Sequence, residues 1–455
     1  MSPPLAPVTA APPAPPRGLL RVLGTAFGLA ITVGAVIGGG IVRTPGEIAA
    51  ALPSAPLFLA VWVLGAINTL LGANVFSELG TMMPRAGGPY VYARRAFGNA
   101  AGFFVGYADW MTWCLGAAAV TLVVGEYSGV LIPALAPHPV AVDLVVLLSI
   151  GALQWVGVRS SGRTQEITSA LKALALLGLV AAAFLLPHPR LAAPSVSVPS
   201  GLALVAAFGI AMQGVVFTYE SYFAVVYCGE EMRDPGREIP RSMFRGVWLV
   251  IAIYLLINIA YVAVVPVPRM AGDPFVGGTL TRALMGRAGD AVIRVIMIVS
   301  VIGTINAILM VGTRTLLAMS RDGVFPRAAS RINAGGTPHL ALGAMLGAVV
   351  LVIVGLRGSF QAALALSAIF ILVRYSCCFA ALFALRWREP DAPRPFRARG
   401  YPLLPVLALL ATLALLCVMV TGSPTDALIV LALLLLSWPL SRASSWLGRR
   451  SGADV

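Results

Sequence analysis

Residues 28–50 read GLAITVGAVIGGGIVRTPGEIAA, an apolar run broken midway by Gly38, Gly39 and Gly40. A run this long and this poor in charge reads as a transmembrane helix, because about 20 residues at 1.5 Å each cross a hydrocarbon core of roughly 30 Å. Lipid offers backbone groups no hydrogen bonds, so an unwound stretch survives at that depth only where it lines a cavity or meets a ligand. Residues 201–231, GLALVAAFGIAMQGVVFTYESYFAVVYCGEE, repeat the pattern: Thr218, Tyr219, Glu220 and Ser221 form a polar patch at membrane depth. The competing reading of the glycines is close helix packing, which small residues permit.

Working outward, apolar runs place spans near 25–49, 56–83, 100–132, 141–158, 166–187, 201–228, 246–266, 290–320, 340–356, 361–386, 402–421 and 424–441. The two interrupted segments are then the first and the sixth, which is what an inverted repeat of five plus five helices predicts. The expected fold class is all-α, a polytopic membrane protein of about twelve helices with helices 1 and 6 broken and two C-terminal helices added. The repeats fall near 24–190 and 200–387 and the added helices near 402–441, all within one membrane domain, 21–441. The Pro- and Ala-rich residues 1–20 read as a disordered cytoplasmic tail without signal-peptide features, and 442–455 as a C-terminal tail.

Composition agrees: 59% of residues are hydrophobic and 11% charged, against about 25% charged in soluble domains. In a soluble domain a net charge of +14 suggests nucleic acid. In a membrane protein its placement matters more, and no nucleic-acid partner is expected. With the N-terminus inside, Arg85, Arg94, Arg95, Arg159, Arg163, Arg233, Arg237, Arg241, Arg245, Arg321, Arg327, Arg331, Arg386, Arg388, Arg394, Arg397, Arg399 and the C-terminal arginines lie on the cytoplasmic side. Outer loops hold only Arg190, Arg269, Arg282, Arg287 and Arg357. Both termini are therefore expected inside an inner (plasma) membrane. The scattered Cys114, Cys228, Cys377, Cys378 and Cys417 make no disulfide framework or zinc spacing. His138, His188 and His339 sit at loop boundaries, against a histidine relay. With no HExxH, GxSxG or Cys-His pair, neither enzyme, metal nor cofactor is expected. Paired broken helices argue for a closed binding site rather than a channel.

Five separated stretches carry a resemblance. VGAVIGGGIVRTPGEIA (33–49) is similar to the first-helix motif of the amino acid-polyamine-organocation superfamily of permeases, and SELGTMMPRAGGPYVYARRAFG (77–98) to its second-helix and inner-loop signature. GEEMRDPGREIPRSM (229–243), MSRDGVFPRAASRINAGGTPHLAL (319–342) and LRWREPDAPRPFRARGYPLLP (385–405) resemble the segments after the sixth, eighth and tenth helices. The chain most resembles bacterial relatives of the L-type amino acid transporters, and the resemblance covers about residues 20–440. It implies a LeuT-like fold and alternating-access transport of amino acids or related amines, as proton-linked symport or as exchange, with polyamines and cationic substrates among the alternatives. It also implies a substrate carboxylate held by backbone at Val36, Ile37, Gly38, Gly39 and Gly40. Many members carry serine where this chain has Gly39, so a hydroxyl contact is missing. By the same resemblance, carbonyls of Phe217, Thr218 and Glu220 hold the amine, and Phe217 is the aromatic that closes over it.

Glu220 has three readings. A mid-membrane carboxylate is functional by default, so it recognises a cation, couples transport, or serves local structure by capping freed N–H groups or pairing a buried arginine. Arg374 in IFILVRYSCC (369–378) and Arg314 in MVGTRTLLAM (310–319) are candidate partners, and an Arg374–Glu220 ion pair is the simplest. Arg374 facing a water-filled vestibule is its alternative. Glu47, Asp109, Glu126 and Asp143 read as interfacial or structural, and Glu78 as ending the second span beside Arg85.

Of 32 basic residues, all but Lys172 are arginine. Lys172 lies in RTQEITSALKALALLGLV (163–180), where an ammonium can lose its proton and a guanidinium cannot. By the resemblance, a fifth-helix lysine stands where sodium-coupled relatives of the fold bind sodium between the first and eighth helices. That would place it near the backbone of Val33 and Val36 and near Gly312 and Thr313. The alternative is a lysine two turns from the cytoplasmic end that snorkels to the interface. Partners are thus the substrate, the lipid bilayer and, as coupling ion, protons; oligomeric state is not legible.

Overall fold

The computed structural model of the chain describes residues 19, 21–187, 191–356 and 358–450, the last stretch with residues 438 and 440–450 in backbone only. The expected N-terminal tail other than Leu19, together with His188, Arg190 and Arg357, lies outside these residues. Among the described residues the structure is helical, with one isolated bridge between Leu23 and Met232 in place of any sheet.

The helices in chain order are α1 Thr25–Val36, α2 Gly40–Ala51, α3 Ala55–Met82, α4 Pro89–Phe97, α5 Asn99–Leu131, α6 Pro139–Val156, α7 Val158–Leu185, α8 Gly201–Tyr219, α9 Pro235–Val264, α10 Val267–Met270, α11 Val276–Arg321, α12 His339–Gly355, α13 Phe360–Arg388, α14 Leu403–Gly422 and α15 Pro424–Arg450. Among the described residues nine helices are long and apolar enough to cross a membrane; α1 and α2, bent by 40° at their junction, make a tenth span, and α12 and Pro424–Ser437 are shorter apolar helices. α5, α11 and α13 are mostly buried, whereas α6 and α14 turn most of their length outward. Leu202, Leu351 and Leu185, each at least 74% exposed, belong to that outer apolar surface, which suits hydrocarbon and not water.

Local chemistry sets the helix ends. α9 starts with Asp234 before Pro235, and Glu238 Oε2 accepts from the Asp234 N–H at 3.1 Å, closing the first turn. Ser359 Oγ accepts from Ala362 N to cap α13. The short α4 lies between Gly88 (φ 45°) and Gly98 (φ 93°), conformations that need glycine. α11 turns at Gly286 (φ 65°), so its spanning part follows that residue.

Two features differ from the sequence reading. α7 begins at Val158 rather than near 166, which moves Lys172 14 residues, about four turns, from the helix start. Glu78 does not meet Arg85. Its carboxylate accepts from Arg386 Nε (2.8 Å) and Nη2 (2.6 Å) and from Ala398 N (2.6 Å), and Arg394 Nε lies 3.2 Å away. Arg85 pairs instead with Asp322, which also binds Arg94 and accepts from Tyr90 Oη. Burial, reinforced by the Asp322 carboxylate, pushes the Tyr90 phenol up, so it stays a donor to that carboxylate.

Candidate binding site at the two helix breaks

The first span is broken where the glycines stand. α1 ends at Val36, Ile37 is extended (φ −73°, ψ 95°), and α2 starts at Gly40. The sixth is broken after Tyr219: Glu220 is extended (ψ 160°), Ser221 has φ 74°, and a 3-10 helix follows over Ala224–Glu231. A non-glycine residue at positive φ is held there by its surroundings, and Ser221 is buried.

Between the breaks lies a small cavity of about 50 Å³. Val36, Gly38, Gly39 and Gly40 line it from one break; Phe217, Thr218 and Glu220 line it from the other. Trp113 and Val120 of α5, Thr304 and Ile308 of α11, and Ser367 of α13 complete the wall. Of the expected contact residues only Ile37 is not part of the lining, because its side chain is fully buried and its carbonyl is turned to Lys172. The start of α2 and the end of α8 both face the cavity. Helix-terminal N–H and C=O groups, which lack intrahelical partners, carry roughly half a positive and half a negative charge.

The carbonyls at the breaks are partly claimed. Tyr254 Oη of α9 lies 2.9 Å from Val36 O and 3.3 Å from Thr218 O. Its single proton serves one at a time or both weakly, so this hydroxyl sits between the two unwound ends. Phe217 O accepts from Glu220 N at 3.1 Å and keeps its second lone pair. Phe217 itself is half-buried at the cavity wall. Among the described residues, the buried Ser367 Oγ has no hydrogen-bond partner.

Lys172 reaches the first break from α7. Its Nζ donates to Ile37 O (2.7 Å), Gly34 O (2.8 Å) and Thr304 Oγ1 (3.0 Å), and the residue is 2% exposed. An ammonium has three donors, and all three are used, so the side chain does not snorkel. The expected register was wrong in detail. Val33 O takes the Ile37 N–H and Val36 O takes Tyr254, so the acceptors are Gly34 and Ile37. Gly312 and Thr313 lie elsewhere: Gly312 packs towards Met345 and Trp113, and Thr313 Oγ1 bonds to Met310 O. Thr304 takes their place, roughly 13 Å away along the helix.

Glu220 binds Arg374 as expected, and Tyr375 Oη donates to its other oxygen. The sequence reading missed the third member. Asp109 of α5, read as structural, accepts from Arg374 Nη1 at 2.8 Å, Tyr227 Oη at 2.5 Å and Thr315 Oγ1 at 2.7 Å, and is fully buried. The Arg374 guanidinium also lies within 5.0–5.5 Å of the ring centres of Phe223, Tyr375 and Trp113, distances at which aromatic faces attract a cation. Arg314, the other candidate, pairs bidentately with Glu231 at 2.8 and 3.0 Å. Glu126 pairs with Arg43, Glu47 accepts from Gln361, and Asp143 accepts from Gly125 N.

A carboxylate at mid-membrane flags itself in the sequence, and Asp109 carried that signal. Tyr254 and Thr304 carried none, because their roles depend on facing two unwound segments distant in the chain.

Residues 23–438 match a family model described as amino acid permease. The chain is similar to the serine/threonine exchanger SteT of Bacillus subtilis (strain 168), 26% identical over 86% of this chain and 90% of that protein. It is similar to the large neutral amino acids transporter small subunit 2 of Mus musculus, 29% identical over 93% of this chain and 80% of the relative. It is also 27% identical to the branched-chain amino acid permease BcaP of Bacillus subtilis, over 88% of each chain.

Proposed function

The chain belongs to the amino acid permease family, a multi-pass membrane transporter and not an enzyme, and we propose that it carries neutral amino acids by alternating access without sodium. One observation carries this reading: the start of α2 and the end of α8 face a single cavity, a pairing of opposite partial charges that suits a zwitterion. Glycines 38–40 supply N–H groups for the carboxylate. Carbonyls around Phe217 and Thr218 take the ammonium, and Phe217 closes over it.

Neutral cargo follows from Glu220. Both its oxygens are engaged, by Arg374 and Tyr375, so it is a structural and coupling group rather than a receptor for a second cationic group. The relatives' names (serine/threonine, large neutral, branched-chain) point the same way. Lys172 replaces a coupling cation at the first break, and proton exchange on its amine links transport to protons. The basic ends of the spans orient both termini to the cytoplasm.

Exchange without net proton movement is the second reading. It is favoured by the three satisfied donors of Lys172, which give the ammonium no reason to release a proton in this state. The test is thermal stabilisation of purified protein across the twenty amino acids, agmatine, putrescine and spermidine, followed by uptake into proteoliposomes. A ligand at 100 times its Kd stabilises by about 2.7 kcal/mol. Stabilisation by neutral amino acids, with uptake unchanged when choline replaces sodium, is expected; stabilisation by the amines alone refutes the reading. Accumulation driven by a pH gradient separates symport from exchange, which requires preloaded vesicles.

A further inference from the structure

The buried cluster around Arg374 is short of one positive charge. A single guanidinium is shared by two carboxylates, Asp109 and Glu220. Among the described residues the other charged or titratable groups facing them are Tyr227 after α8, Tyr92 on α4 and Cys378 on α13 around Asp109, with Tyr375 on α13 and Tyr222 around Glu220. None of these is a cation. The ammonium of Lys172 is spent on the backbone of Gly34 and Ile37. Two like charges on one cation in a buried site favour binding of a proton.

We propose that Asp109 binds that proton in the ligand-free protein and forms a protonation centre separate from Lys172. The geometry selects Asp109 over Glu220. Asp109 is fully buried, whereas Glu220 borders the cavity. Asp109 Oδ2 lies 2.7 Å from Thr315 Oγ1, a hydroxyl that accepts as readily as it donates. The protonated acid donates through Oδ2 to Thr315, while Oδ1 keeps its bonds from Arg374 and Tyr227. Glu220 keeps its pairing with the guanidinium. On release the proton passes to water, and the second negative charge then competes with Glu220 for Arg374. Proton occupancy is thereby tied to the grip of the tenth span on the sixth-span break.

The test needs no ligand, so it stands or falls apart from the identity of the cargo. Infrared spectra of the full-length protein in lipid, recorded at neutral and at alkaline pH, report the carbonyl stretch of a protonated carboxylic acid. A band in the wild type that is lost in Asp109→Asn and displaced in Thr315→Val, which removes the acceptor, is the expected result. Thr315→Val also serves if Asp109→Asn does not fold. A wild type without the band, or a band unchanged in both variants, overturns the proposal. A band lost only in Glu220→Gln overturns the assignment to Asp109.

Discussion

Replacing Lys172 by methionine keeps the unbranched apolar stem, one atom shorter, and removes its three donors. The ammonium serves Gly34 O, Ile37 O and Thr304 Oγ1 at 2.7–3.0 Å. Thr304 Oγ1 stands 3.2 Å from Gly34 O and 3.0 Å from Ile37 O, and Ser300 Oγ stands 3.3 Å from Ile37 O. After substitution Ser300 can cover Ile37 O and Thr304 can cover Gly34 O, but only at 3.2–3.3 Å and from neutral donors. Hydrogen bonds from charged donors contribute about 1.5–3 kcal/mol each and neutral ones about 0.5–1.5 kcal/mol. Removing the ammonium also removes its desolvation cost, so the expected net loss is about 2–4 kcal/mol, a large fraction of the roughly 5–15 kcal/mol that holds a typical fold together. The assay is the thermal midpoint of purified protein, paired with uptake at two pH values. Lys172→Met should melt earlier and lose most uptake. Lys172→Arg should not rescue it, because a planar fork cannot place donors where a compact ammonium does. Unchanged melting, uptake and pH dependence in Lys172→Met would refute the cation-replacement reasoning.

Glu220→Gln strips a buried guanidinium of one of its two carboxylates; breaking such a pair costs about 3–5 kcal/mol, and a variant with unchanged melting and uptake would show that the pair does no work. Gly34→Ala would bring a methyl to 1.9 Å from Gln165 Nε2 and 2.2 Å from Ser169 Oγ, an overpacking expected to destabilise by about 1–3 kcal/mol and measurable as a lower midpoint. Gly39→Ser, whose Cβ meets Val123 and Val301 no closer than 3.5 Å, should fold with an unchanged midpoint, and any change in ligand affinity then reports a hydroxyl added at the break. Phe217→Ala should weaken ligand-induced stabilisation by more than it lowers the ligand-free midpoint, since the ring is only half-buried against the core and lines the cavity.

Much of the fold was legible because each span is a local statement: a run of apolar residues needs no knowledge of its neighbours to be long enough for lipid. Both breaks were legible for the same reason, glycines and polar residues being conspicuous in such runs. Lys172 stood out by composition. What failed was register. The carbonyls that meet Lys172 are one residue away from those expected, and the partner on α11 is Thr304 rather than Gly312 or Thr313, because sequence gives no rotation or vertical offset between helices. Glu78 and Arg386, 308 positions apart in the chain, illustrate the same limit. The nearer Arg85 was the natural guess, but it is Arg386 that ends the tenth span beside Glu78.

That junction has a mechanical consequence. Glu78 near the end of α3 holds Arg386, Arg394 and the Ala398 N–H, while Asn74 one turn earlier exchanges hydrogen bonds with the backbone of Arg399 in both directions, each at 2.9 Å. The segment between α13 and α14 is thus bolted at several points to the last turns of α3 and behaves as a strut. Any rocking of the helices around the cavity must carry the second and tenth spans as one piece, or shear five polar contacts together. The strut is therefore a poor place for an inserted tag and a good place for a fixed reference label from which movements of the broken helices can be measured.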